Sequence, residues 1–244
     1  MIRHALQAQA RSFTGDVVLL GMAAAAFVMS LTLATSIPPE IADVPAGARG
    51  ALTAPFSTVF ATYGAVLAAV YGSFRYTIDR RDGVVAQRLT LQPRLASFLA
   101  RVPASAAGGA VVALAGLVGG HTALTVVLGG VPVEWSAVGS TLAVGAIAGL
   151  WGMGLGVVVQ VHLVALFAAS LSMGAAMLVA LFWEAGAVYL PLLAMLAAFR
   201  FDLTAVGIMP GDGLDSSLAV LVAAGWVLLA LVAAGATFVN RDVR

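Results

Sequence analysis

Residues 135–183 read WSAVGSTLAVGAIAGLWGMGLGVVVQVHLVALFAASLSMGAAMLVALFW, 49 positions with no formally charged side chain between Glu134 and Glu184. A helix needs about 20 apolar residues to cross a hydrocarbon core of about 30 Å. The run is therefore too long for one crossing and long enough for two. Gln160 and His162 are its strongest polar pair. They mark a turn between one membrane helix over residues 137–159 and another over 163–182.

The rest of the chain is of the same kind. Of 244 residues 61% are hydrophobic and 9% charged, with mean hydropathy +1.04. A soluble domain is about 45–50% apolar and about 25% charged, so a chain of this size has no interior large enough to hide the excess from water. The expected class is all-α, a polytopic membrane protein whose residues 1–244 form a single transmembrane domain. Cysteine is absent and every one of the twelve basic residues is arginine. That excludes disulfides, thiolate metal sites, a Walker A lysine and Schiff-base chemistry.

Outward from the long run, the charge-free intervals supply four more spans, over residues 17–36, 57–74, 102–128 and 218–239. Six spans result. Residues 185–199 are too few for a seventh, rising only about 22 Å as a helix, and Pro191 interrupts them. They suit a re-entrant or interfacial element within an outer segment, residues 183–217. Six spans put both termini on one side, together with the loops after spans two and four. That side holds Arg3, Arg11, Arg75, Arg80, Arg81, Arg88, Arg94, Arg101, Arg241 and Arg244, leaving only Arg49 and Arg200 opposite. The positive-inside rule makes the arginine-rich side, and both termini, cytoplasmic. Residues 1–15 show no cleavable signal pattern. They read as an amphipathic interfacial helix, with Ile2, Leu6, Ala10 and Phe13 on one face and Arg3, Gln7 and Arg11 elsewhere.

Six of the twelve arginines crowd into one cytoplasmic loop, residues 75–101. Asp82-Gly83 is a turn signal. Val84, Val85, Arg88 and Leu89 then have helical spacing, Pro93 ends the short helix, and Leu95, Phe98 and Leu99 begin the return to the membrane. Binding of anionic headgroups accounts for the arginines. It does not account for an ordered turn, a helix and a Pro-Arg break, which together read as a docking surface.

This loop resembles that of the permeases of type-2 ABC exporters. In those proteins an acidic residue with Gly-Thr, a Leu-rich turn, Pro with a following Ser or Arg, and a basic residue opening the third span follow one another in this order. Asp82, Gly83, Gln87, Leu89, Pro93, Arg94 and Arg101 occupy the matching places. Residues 238–244, FVNRDVR, are similar to the family's exit, an apolar residue followed by Arg-Asp-Val. The layout matches along the whole chain, the motif only in the loop and the exit. Val84 stands where Thr is common, Gln87 where an acid is common, and Arg101 where Lys is frequent.

The resemblance implies a coupling helix over Asp82–Leu91, with Asp82, Gly83, Gln87, Arg88, Leu89, Pro93 and Arg94 contacting a separate ABC ATPase subunit present in two copies. It further implies a second permease chain, identical or related, and multi-pass insertion in the cytoplasmic (inner) membrane of a prokaryote. ATP and Mg would be bound by the partner, with no cofactor in this chain, no catalytic activity of its own and no nucleic acid as partner. The cargo would be a hydrophobic or amphipathic drug, lipid, glycan or peptide moved outward. The family's substrate path, between spans two and five of two protomers, points to Phe56, Phe60, Tyr63 and Tyr71, or to Phe167 and Met173. Its extracellular gate points to Glu184, Tyr189, Arg200 and Asp202.

Each of these has an ordinary reading beside it. Any one aromatic serves equally as a core or lipid-facing residue, and Glu184 beside Trp183 as an interfacial acid. Arg200 and Asp202 suit a solvated loop or a mutual pair. His121, beside Gly119 and Gly120, suits a substrate contact or proton site, or a neutral histidine bonded to a neighbouring helix; His162 reads as a loop residue. Gly145/Gly149 and Gly152/Gly156, spaced by four, allow close helix approach, within the chain or at a dimer seam. A proton- or ion-coupled transporter is the competing function, yet no Asp or Glu lies mid-span and no repeat relates the halves. An intramembrane enzyme would need a nucleophile elbow or His-Glu-x-x-His, and neither occurs.

Overall fold

The computed structural model describes residues 2–33, 37, 41, 44–129, 134–211 and 213–240, without the side chains of 46–51. The expected Arg-Asp-Val exit, residues 241–243, and the end of the first span, residues 34–36, lie outside the described residues. The fold is all-α, with ten helices among those residues: α1 Ile2–Phe13, α2 Val17–Thr32, α3 Ala46–Arg81, α4 Val84–Leu91, α5 Arg94–Leu128, α6 Trp135–Val159, α7 His162–Ala180, α8 Glu184–Ala187, α9 Pro191–Ala198 and α10 Ser216–Asn240. Five of them, α3, α5, α6, α7 and α10, are long and apolar enough to cross a membrane. A sixth results if α1 and α2, bent by 54° at their junction, count together as one span. The chain is therefore a multi-pass membrane protein.

α6 is the centre of the bundle, and its glycines explain why. A Cβ on Gly152 would collide with the Ala69 carbonyl of α3, and one on Gly156 would lie 2.8 Å from the Ser73 carbonyl. On another side, Gly145 and Gly149 face Gly109 of α5, and Gly154 faces Ala230 of α10. With little hydrophobic drive between helices in lipid, such backbone approach is what holds them. The glycine spacing thus serves packing inside one chain. The reciprocal small residues, Gly72 on α3 and Gly109 on α5, complete the crossings.

Two helices outrun the span lengths expected from charge. α3 has 36 residues and α5 has 35, about 54 and 52 Å at 1.5 Å per residue. Both extend past the expected membrane boundary, to Arg81 and back from Arg94. Charge marks where lipid stops, but helix geometry stops only at a turn signal, and the first is Asp82-Gly83. There Gly83 adopts φ +75°, the left-handed region that glycine enters without a Cβ penalty, and its N–H donates to the Arg80 carbonyl at 3.1 Å. The last turns of α3 and the first of α5 thereby form a short stalk with α4 at its tip, flanked by the ends of α6 and α10, whose Met153, Val157 and Phe238 pack with Val85.

Within residues 185–199, α9 is packed inside the bundle. In α9, Leu192, Leu193, Met195 and Leu196 have no exposed surface. The Trp226 indole donates to the Tyr189 carbonyl at 2.7 Å. Trp226 is ten positions into α10, about 15 Å along it. The chain therefore dips to roughly mid-bundle before α9 carries it back. α9 itself packs against α10, α7 and α3.

Candidate coupling surface and the charged junction beneath it

α4 has two faces. Its inner face, Val85 with part-buried Leu89, packs into a cluster with Tyr76, Phe98, Met153, Val157 and Phe238. Its outer face presents Ala86, Gln87, Thr90 and Leu91, with Asp82 and Pro93 exposed at its two ends. Leu91 is 85% exposed, although loops at a membrane surface usually place such a side chain inward.

The residues marked for docking therefore divide. Asp82, Gln87 and Pro93 face outward, and Gly83 makes the turn. Leu89 anchors α4 to the stalk. Arg88 points at Asp79, 3.8 Å away, and Arg94 donates to the Val239 carbonyl at 2.8 Å. Sequence reasoning did not single out Ala86, Thr90 or Leu91. Their signal was the helical complement of Val85 and Leu89.

Beneath α4 the last turns of α3 gather charge from every side. Asp79 accepts from Arg101 of α5 at 2.9 Å, while that guanidinium lies over the Tyr76 ring at 5.4 Å. One carboxylate thus serves two arginines. Among the described residues, Arg101 Nε and Nη2 and Arg88 Nη1 are buried without a hydrogen-bond partner. One turn deeper, Arg75 forms an ion pair with Asp16 at the α1–α2 corner. Tyr71 donates to the same carboxylate at 3.1 Å, Arg75 donates to the Tyr71 and Ser12 hydroxyls at 3.1 and 2.8 Å, and the Phe13 ring lies 5.1 Å from the guanidinium.

The α6–α7 turn is fastened to the same helix. Gln160 sits at φ +64° and ends α6, and its side-chain oxygen accepts from Arg80. The Thr77 hydroxyl and His162 Nδ1 are 2.8 Å apart, and Phe74 meets the imidazole edge-on at 4.3 Å. His162 is therefore a clasp residue, beyond the loop role expected of it. α1 lies against α5 through Ala5 and Gln9, both buried, which leaves Ile2 and Leu6 turned outward as the expected apolar face.

At the far end the expected path and gate residues do not converge within one chain. Phe60 is buried, stacked on Phe56 and packed with Leu124 and Leu128. Tyr71 belongs to the Asp16–Arg75 junction and Met173 to the core. Tyr63, Phe167 and Tyr189 are exposed. Glu184 lies half-buried in the first turn of α8. Arg200 adopts φ +61° just after α9, and Asp202 caps the following turn by accepting from the Thr204 N–H at 3.0 Å. The two make no ion pair with each other among the described residues. Below them, Trp226 meets Trp151 edge-on at 5.6 Å, and the Trp151 indole donates to Ser172 of α7 at 2.9 Å. These bonds tie the re-entrant element to α6 and α7. At the start of α10, the Ser217 hydroxyl and the Leu218 and Ser217 N–H groups hold the exposed Asp215 carboxyl below its ordinary pKa.

No group of three or more His, Asp or Glu poised for a metal occurs among the described residues. What the arrangement can do is mechanical. A force on α4 reaches α3 through the Val85 cluster and Asp79, and α3 is bonded in turn to α5, to the α1–α2 corner and to the α6–α7 turn. No family model and no curated protein matches the chain.

Proposed function

We propose that the chain is the membrane-spanning permease subunit of an ATP-driven exporter, moved by a separate ATPase that docks on α4 from the cytoplasm. The observation that carries this reading is α4 itself, a short helix at the tip of a stalk, anchored by Val85 and presenting Gln87, Thr90 and Leu91 outward. Among the described residues nothing covers that face: Leu91 is 85% exposed. Among the described residues, Arg3, Arg11, Arg75, Arg80, Arg81, Arg88, Arg94 and Arg101 belong to α1 and to the stalk formed by α3, α4 and α5, which makes that end cytoplasmic by the positive-inside rule. The re-entrant α8–α9 element at the opposite end is a natural outer gate.

Cargo then passes between two copies of the chain, or this chain and a related one, as ATP binding draws the two stalks together. The exposed aromatics Tyr63 and Phe167 are available to line that passage. A hydrophobic or amphipathic cargo is the class such walls accept.

The test is purification from the native membrane in mild detergent. An ATPase subunit should co-purify, the isolated chain should hydrolyse no ATP, and reconstituted complex should transport only with ATP. Transport driven by a proton or sodium gradient without ATP would overturn the reading in favour of a secondary transporter.

A further inference from the structure

α3, α5 and α6 are locked together by small residues: a Cβ on Gly64 would lie 3.1 Å from the Ala113 Cα, and Gly109 abuts Gly145. Beyond that contact, toward the end opposite α4, they enclose a cavity of about 550 Å3. Its walls are Phe60 of α3 with Leu114, Leu117 and Val118 of α5, and Glu134 and Trp135 stand at the start of α6. Leu114 and Val118 are exposed, so it opens sideways to lipid. From Leu114 to Thr122 the α5 wall runs about 12 Å. The size falls within the roughly 300–1,000 Å3 of sites for drug-sized ligands.

We infer that this cavity binds an amphiphilic cation, its hydrocarbon tail along α5 and its cationic head at Glu134 and Trp135. Three observations bear on the occupant. The walls are apolar over the length of a short hydrocarbon tail. Glu134 is the one charged side chain among the described residues lining the cavity, so a cationic head is favoured and an anionic one repelled. Trp135 follows it in sequence with its side chain 79% exposed, and an indole face attracts ammonium groups through its quadrupole. Glu134 precedes α6, and exposed tryptophan is the residue of the membrane–water boundary. The head thus sits at the interface while the tail reaches into the leaflet, which is the posture of an amphiphile in a bilayer. His121 also lines the cavity, which gives this histidine a ligand-facing position that its place in the sequence left open. Binding here needs neither an ATPase nor a second chain, so it stands apart from the exporter reading.

The probe is radiolabelled dodecyltrimethylammonium, equilibrated by dialysis against the full chain in nanodiscs, with empty nanodiscs of the same lipid as background. One saturable site per chain is expected. Glu134→Gln should weaken it roughly tenfold, and Val118→Trp, which fills the groove from an exposed position, should remove it. Dodecyl sulfate should not compete. Unchanged affinity in Glu134→Gln, or equal competition by dodecyl sulfate, would overturn the assignment, as would a site retained in Val118→Trp. Phosphatidylethanolamine that co-purifies at one per chain and is not displaced by the probe would assign the groove to a lipid instead. Glu134 and Val118 are exposed, and a monodisperse elution profile for each variant separates loss of binding from loss of fold.

Discussion

If α4 is a docking helix, its two faces must fail in different ways, and Leu91 gives the sharpest contrast. Full burial of a leucine side chain is worth about 1.5–3 kcal/mol. With 85% of its surface exposed in the free chain, nearly all of that is available to a partner. Leu91→Ala keeps the β-carbon, so the loss on docking should be about 1–2 kcal/mol, a factor of about 5–30 in affinity. The folded chain itself loses nothing, because Leu91 touches no core. Val85 is the converse: it is fully buried against Tyr76 and Phe238, so Val85→Ala should loosen α4 and destabilise the stalk first. Gly83 is a third case. A Cβ there meets open space, and only the left-handed backbone strain of about 1–2 kcal/mol appears, felt as a misplaced turn. The assay titrates the co-purifying ATPase onto permease in nanodiscs and reads both binding and stimulated ATP hydrolysis. Leu91→Ala should weaken both with an unchanged melting profile. Unaltered affinity in Leu91→Ala alongside impaired affinity in Val85→Ala would refute the assignment of the outer face.

Three further outcomes follow from the packing and the electrostatics. Gly152→Ala should destabilise the bundle by about 1–3 kcal/mol or more in reversible detergent unfolding, since its Cβ lands on the Ala69 carbonyl. Gly174→Ala and Gly225→Ala, which meet open space, should be neutral or gain up to about 1 kcal/mol from helix propensity; equal effects at all three would contradict the crossings. Asp16→Asn should cost about 3–5 kcal/mol, because it leaves the Arg75 guanidinium buried beside a lost charge, and the Asp16→Leu/Arg75→Leu pair should recover most of that loss in the same unfolding assay. In 13C NMR, the Asp215 carboxyl should titrate below the ordinary value of about 3.9. Its capping contribution is therefore present above that value and is lost as the pH falls through the depressed midpoint. Ser217→Ala, which removes the hydroxyl donor, should move the midpoint upward.

The sequence carried the spans because hydropathy is a property of single positions, and the 49-residue uncharged run with its Gln160/His162 break divides where α6 gives way to α7. It also carried α4, since Asp82-Gly83 and Pro93 are local punctuation that needs no partner to be read. The lengths of α3 and α5 are less legible because charge marks the end of the lipid-facing stretch and not the end of the helix: seven further residues of α3, Arg75 to Arg81, keep helical geometry until the turn. The exposure of Leu91 is hard to read from sequence for a related reason. The four-residue spacing of Val85 and Leu89 identifies an anchored face, and the outward face is defined only by what that face leaves behind.

The charged junction was hidden differently. In the sequence, Asp16 stands just before the first expected span, residues 17–36, and Arg75 just after the second, residues 57–74. Yet consecutive antiparallel spans begin and end on the same side, so an acid opening the first and a base closing the second are forced to one depth. At that depth a single buried charge is costly, and the pair is the economical solution. The same logic applies to Asp79 in the last turn of α3 and Arg101 two turns into α5, whose carboxylate and guanidinium meet at 2.9 Å. Charges at span ends are therefore addresses as well as boundaries, and in this chain the addresses converge on the last turns of α3. Whatever moves α4 has to move through that convergence. The bonds from Tyr71, Arg75, Thr77, Asp79 and Arg80 lead to three other parts of the bundle, so α3 cannot tilt without carrying α5, the α1–α2 corner and the α6–α7 turn with it. If a partner docks on α4 as proposed, those bonds favour a rigid-body response, because the interfaces they close are discrete and not continuously deformable.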